Sequence, residues 1–135
     1  MKDSRTHQPD FGLLMLRIFL GSRLIYGVID NIMSKSKMME FSSFLESNHF
    51  VLPLQSAWLS VYAQFICGIM IILGWKLKWG AGIMVVNFLI ALIFVHVRIG
   101  DSIEGMTPAL SMLIISAALF LMGPGKYAIK QERQV

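Results

Sequence analysis

Cysteine is almost missing from this chain of 135 residues: Cys67 is the one present. A single thiol can close no internal disulfide and form no dithiol redox pair, which excludes thiol oxidoreductases that work through paired cysteines in one chain. Charge is scarce too, at 15% of residues against about 25% in ordinary soluble domains. No basic stripe interleaved with aromatics lies outside the apolar segments, so the net charge of +4 is no sign of nucleic-acid binding. One embedded histidine and one aspartate make no closed ligand set, so no metal site is expected.

What the chain has in abundance is apolar surface: 56% of its residues are hydrophobic. A soluble domain of this size could not hide that much, whereas lipid as solvent lets apolar side chains face outward. Four apolar segments stand out, Phe11–Ile32, Ser56–Gly74, Trp79–Val97 and Pro108–Met122, the last extended by Thr107 and Gly123. A helix crossing the hydrocarbon core needs about 20 residues. A soluble helical bundle would need polar faces that "FICGIMIILGW" and "MLIISAALFLMG" lack. The expected fold is therefore an all-α polytopic membrane protein, a four-transmembrane-helix bundle with spans over about 11–32, 56–74, 79–97 and 107–123. Residues 1–10 and 124–135 form the two tails, with Asp10 a candidate helix cap. The first span has arginines inside it and no small-residue cleavage signature before Asp30, so it is expected to be retained.

Orientation follows from the basic residues of the connections. Lys2, Arg5, Lys76, Lys78, Lys126, Lys130 and Arg133 lie on one side, and Lys35, Lys37 and Arg98 on the other. The excess places both termini in the cytoplasm, in an inner (plasma) membrane. The long first external connection contains "KMMEFSSFLESNHF", with Met38, Phe41, Phe44 and Leu45 at helical spacing opposite Glu40, Ser43, Glu46 and Ser47. This is expected to be a short amphipathic helix, lying at the membrane surface or folding over the bundle mouth.

Polar groups inside the spans carry the functional reading. A charged residue at the bilayer centre costs about 2.5 to 3.5 kcal/mol and usually faces the bundle interior. In "LRIFLGSRLIYGVID", Arg23 and Asp30 share a helix face with Tyr26 between them, about 10 Å from end to end. Arg17 points elsewhere, nearer the cytoplasm, where it can snorkel to the headgroups. Depth along the other spans adds Ser60 and Gln64, with Gly68 on the same face, then Asn87 near mid-membrane and His96 near the outer surface. Thr107 and Ser111 open the fourth span. The expected site is a polar cavity open to the outer side, with Arg23, Tyr26, Asp30, Gln64, Asn87 and His96 as candidate ligand-binding residues. Gln64 and Asn87 also fit plain hydrogen bonds between helices, and the serines and threonine fit bonds to backbone carbonyls.

With these features in hand, the chain resembles the DoxX family of small four-helix membrane proteins. The stretches that carry the resemblance are "LMLRIFLGSRLIYG", "QFICGIMIILGWKLKWGAG", "ALIFVHVRIG" and "GPGKYAI", in that order. The resemblance implies a membrane subunit associated with quinone-linked oxidoreduction. It sets Arg17 at the family's first-span arginine, Gln64 where a glutamate is frequent and His96 at the third-span histidine, with Gly68, Gly74, Gly123, Pro124 and Gly125 as further motif positions. Asp30 falls where members often carry lysine, and Gln64 cannot act as a carboxylate base.

The expected function is an accessory subunit of a quinone-linked oxidoreductase system. It would bind no covalent cofactor but a quinone, and it would work beside a redox or other membrane or periplasmic protein partner in the lipid bilayer; a homo-oligomer stays open. The chain has no cofactor or nucleophile motif, so it is at most a subunit of such an enzyme. Two other classes stay open. A small solute transporter or exporter would use Arg23 for an anionic or neutral ligand. A structural or assembly subunit would pair Arg23 with Asp30 to hold helix register.

Overall fold

The computed structural model describes residues 8–129. Residues 1–7 and 130–135, with Lys2, Arg5, Lys130 and Arg133 of the charge asymmetry, lie outside the described residues. The described chain is all-helical: α1 Gln8–Met33, α2 Lys35–Ser47, α3 Pro53–Leu73, α4 Leu77–Ala91 and α5 Ile103–Met122. A π-helical turn, Leu92–Val97, continues α4 without a break. Four helices are long and apolar enough to cross a membrane: α1, α3, α5 and the continuous Leu77–Val97. The shortest has 20 residues, about 30 Å of rise, which matches the hydrocarbon thickness. Large side chains such as Leu59, Leu121 and Trp79 stand outward from the bundle, at least 70% exposed. In water that surface would aggregate; in lipid it is solvated.

Helix starts follow local chemistry rather than the first apolar residue. Pro53 occupies the first turn of α3, where its missing N–H costs nothing. Ser102 caps α5, its Oγ accepting from the Gly105 amide at 3.1 Å. Asp10 is no cap: it lies within the first turn of α1, and its Oδ1 accepts from the Lys126 amide at 3.0 Å. The helix reaches back to Gln8 and so absorbs three residues expected in the tail.

The bundle is built from two intimate pairs, α1 with α3 and α4 with α5, joined through α3 and α4; α1 meets α5 along a much thinner seam. Gly21 and Gly68 let α1 and α3 approach backbone to backbone, since a Cβ on Gly68 would fall 3.0 Å from the Gly21 carbonyl oxygen. Around this crossing one apolar cluster gathers Leu20, Leu24, Cys67, Ile71, Ala81, Met84 and Leu119. A second, towards the α2 end, gathers Val28, Met38, Leu45, Ala57 and Val61.

The amphipathic connection forms α2, capped by Ser34, whose Oγ accepts from the Lys37 amide. It packs on α1 and α3, burying Met38, Ser42 and Leu45, while Phe44 is left 46% exposed. Its far end is tied to the π-helical turn: Arg98 donates to the Asn48 carbonyl at 3.3 Å, and Phe50 meets Phe94 edge to face.

Candidate functional site

The two arginines of α1 do different work. Arg17 is 1% exposed, so it does not snorkel to headgroups. Its guanidinium donates to Ile71 O (3.0 Å), Ile72 O (2.7 Å), Pro124 O (2.9 Å) and Tyr127 O (2.6 Å). The physical demand comes from α3, whose last four carbonyls have no partner within the helix. Gly74, in the left-handed region at φ 70°, closes a Schellman turn in which Trp75 N donates to Met70 O and Gly74 N to Ile71 O. Arg17 satisfies Ile71 and Ile72, and the Ile129 amide satisfies Leu73. All four carbonyls are met, and the positive charge sits at the negative end of the helix dipole. Three motif positions, Arg17, Gly74 and Pro124, thus meet in one knot at the termini end, with Gly123 and Gly125 flanking Pro124 in the chain, while Gly68 serves the α1–α3 crossing. The knot holds the fold.

Arg23, two turns along α1, lines a cavity of about 300 Å³ together with Gly27, Gln64, Phe88, Ala91, His96 and residues of the first turns of α5. A Cβ on Gly27 would lie 2.9 Å from Arg23 Nη1, so the missing side chain leaves room for the guanidinium along α1. No carboxylate lies within salt-bridge distance of Arg23 among the described residues; the guanidinium makes a cation–π contact with the Tyr26 ring, whose centroid lies 5.9 Å from Cζ. Pro108 also lines the cavity and, lacking an N–H, leaves the Glu104 carbonyl without its usual helical donor.

His96 reaches the cavity from the π-helical turn, a geometry frequent at functional sites. Its Nδ1 lies 2.7 Å from Asp101 Oδ2, and the Asp101 amide donates back to the His96 carbonyl at 2.9 Å. The Ser102 amide donates to Asp101 Oδ1 at 2.8 Å. An ionised carboxylate only accepts, so Nδ1 carries the proton and the neutral ring keeps Nε2 as an acceptor. The hydrogen bond from His96 holds the Asp101 carboxyl below the usual aspartate range, helped by the Ser102 amide and opposed by partial burial. Gly105 permits this arrangement, because a Cβ there would collide with the Asp101 carboxylate.

Of the six candidate residues, the structure brings Arg23, Gln64 and His96 to one cavity. Tyr26 is 77% exposed and touches the site only through the Arg23 guanidinium. Asp30 is exposed, lines no part of the cavity and does not pair with Arg23. Asn87 lies in a chain between helices, Gln64 Nε2 donating to Ser60 Oγ (3.1 Å) and Ser60 Oγ to Asn87 Oδ1 (2.9 Å). Thr107 Oγ1 donates to Ile103 O at 2.6 Å, outside the cavity lining. Asp101 was not foreseen, although a histidine five residues before an aspartate at a helix end is a signal that could have found it.

The DoxX family profile matches residues 12–97, well over half the chain. The chain belongs to the DoxX family. The matched stretch holds Arg17, Arg23, Gln64 and His96 but ends before Asp101 and the Gly-Pro-Gly segment that Arg17 binds. No curated protein and no solved structure matches the chain. This DoxX protein is multi-pass, with its polar cavity in the half of the bundle that carries α2 and the α4–α5 loop.

Proposed function

We propose that this DoxX protein binds a quinone headgroup in the Arg23–Gln64–His96 cavity, as a membrane subunit of a quinone-linked oxidoreductase system. A quinone offers two carbonyl acceptors on one ring, and its quinol offers two hydroxyl donors. Arg23 supplies guanidinium N–H donors for an oxygen, and Gln64 keeps one amide hydrogen beyond its bond to Ser60. The neutral His96 Nε2 accepts a proton from a quinol hydroxyl. Asp101 holds the ring in the required tautomer and stabilises the imidazolium that forms. The quinol chemistry releases two protons and two electrons, the protons leaving through His96 and the electrons going to a redox centre of a protein partner. The carboxylate assisting His96 in this scheme is Asp101 rather than Asp30.

The single observation that carries the proposal is a guanidinium with no carboxylate in salt-bridge range among the described residues, lining the same cavity as an aspartate-oriented histidine. A register-holding Arg23–Asp30 pair has no such support, since the two residues make no ion pair among the described residues. The charge asymmetry supports cytoplasmic termini in the plasma membrane, with the cavity opening to the outer side.

The test is direct binding of a quinone to the purified protein in nanodiscs. Arg23→Ala is expected to weaken binding by about ten- to a hundredfold, the value of a lost charged hydrogen bond. His96→Ala should abolish quinol-dependent turnover with the partner. Wild-type protein that binds no quinone would end the proposal.

A further inference from the structure

The cavity shares one face of α1 with a second, separate feature. On the same side of α1, towards the termini end, lies an apolar groove of about 570 Å³ lined by Pro9, Gly12, Leu13, Leu16, Phe19 and, across the seam on α5, Met122. Gly12, Leu16, Phe19, Arg23 and Gly27 recur at spacings of three and four, so they form one stripe along α1. The first three line the groove and the last two the cavity. The seam in question is the thin one, between α1 and α5. Arg23, with no carboxylate in salt-bridge range among the described residues, lies towards one end of the stripe, and the apolar groove towards the other. Gly12 and Arg23 are separated by about 16 Å along the helix axis.

Resting on the quinone reading, we propose that the ligand enters sideways from the bilayer between α1 and α5, and that its isoprenoid tail lies in the Gly12–Leu16–Phe19–Met122 groove while its head sits against Arg23. The site is thus selective for tailed ligands and takes them from lipid rather than from water. A water-soluble headgroup alone fills only the cavity.

Gly12 provides a clean test, because a Cβ added there meets nothing within 4 Å. Gly12→Trp therefore adds bulk at a residue that lines the groove, starting from a position with room for a side chain. Two probes with one headgroup are compared on the full-length protein in nanodiscs, a tailless quinone and the same quinone with a polyprenyl tail. Gly12→Trp is expected to weaken the tailed probe about tenfold, as losing about two buried CH₂ contacts does, and to leave the tailless probe within about twofold. Met122→Trp, from the opposite wall, should act alike and serves if Gly12→Trp does not fold. Arg23→Gln should weaken both probes. If the variants bind the tailed probe like wild type, or weaken both probes equally, the tail does not lie in the groove, although headgroup binding stands. If wild type binds neither probe, the quinone reading itself fails.

Discussion

At the residue scale, two arginines six positions apart on one helix meet opposite fates. Arg17 donates to two carbonyls at the end of α3, Ile71 and Ile72, and to two of the segment after α5, Pro124 and Tyr127. Arg17→Ala removes four charged hydrogen bonds at once, and each buried acceptor left bare costs about 1–3 kcal/mol. The expected loss is about 3–5 kcal/mol, read as a lowered unfolding midpoint in detergent; a change under about 1 kcal/mol would show that the knot is ornamental. Arg17→Lys should rescue little, because one ammonium cannot present the planar fork. At Asp101, the depressed carboxyl means that its contribution to stability is complete above the ordinary aspartate range, near pH 4, and disappears as pH falls through the lower folded value. Thermal melts of wild type and Asp101→Asn should differ at pH 7, with the gap narrowing progressively as pH falls below about 4. A gap that persists unchanged at pH 3 would contradict the His96–Asp101 contact.

At the element scale, the spans were legible because hydropathy and length decide what crosses a bilayer. The amphipathic pattern of α2 was legible for the same reason, although Phe44 faces outward instead of into the packing. Depth was legible as well, since rise per residue is constant; it placed Arg23, Gln64 and His96 near one another. Rotation and close approach were not. The Gly21–Gly68 crossing depends on two backbones meeting, which neither segment encodes alone. Gly68→Val should drive the side chain into α1 and cost about 1–3 kcal/mol by overpacking, measurable as a lower unfolding midpoint. An unchanged midpoint would mean that α1 and α3 are free to shift apart. Asp101 escaped notice because its role depends on the π-helical turn bringing the His96 ring beside the next loop.

At the scale of the whole molecule, the two helix pairs leave one weak seam, α1 against α5, and residues of both helices line the polar cavity and the apolar groove. That asymmetry gives topology a functional meaning, since the cavity lies at the α2 end. A cysteine introduced at exposed Ser43 in a Cys67→Ala background should react with an impermeant maleimide added to intact cells, and one at Gln8 should not. The reverse pattern would turn the cavity towards the cytoplasm and overturn the proposed outward release of protons.

The amino-acid sequence by itself determined that the chain is built for lipid, how many helices are long and apolar enough to cross it, and how its polar groups are spaced along each helix axis. Those properties depend on composition, length and a fixed helical rise, all of them local. Only the tertiary structure decided which arginine is structural and which faces a cavity. It also decided which carboxylate serves His96, and where the bundle is loosely closed. Each of those depends on groups far apart in the chain meeting at hydrogen-bond distance, and no local pattern specifies such a meeting.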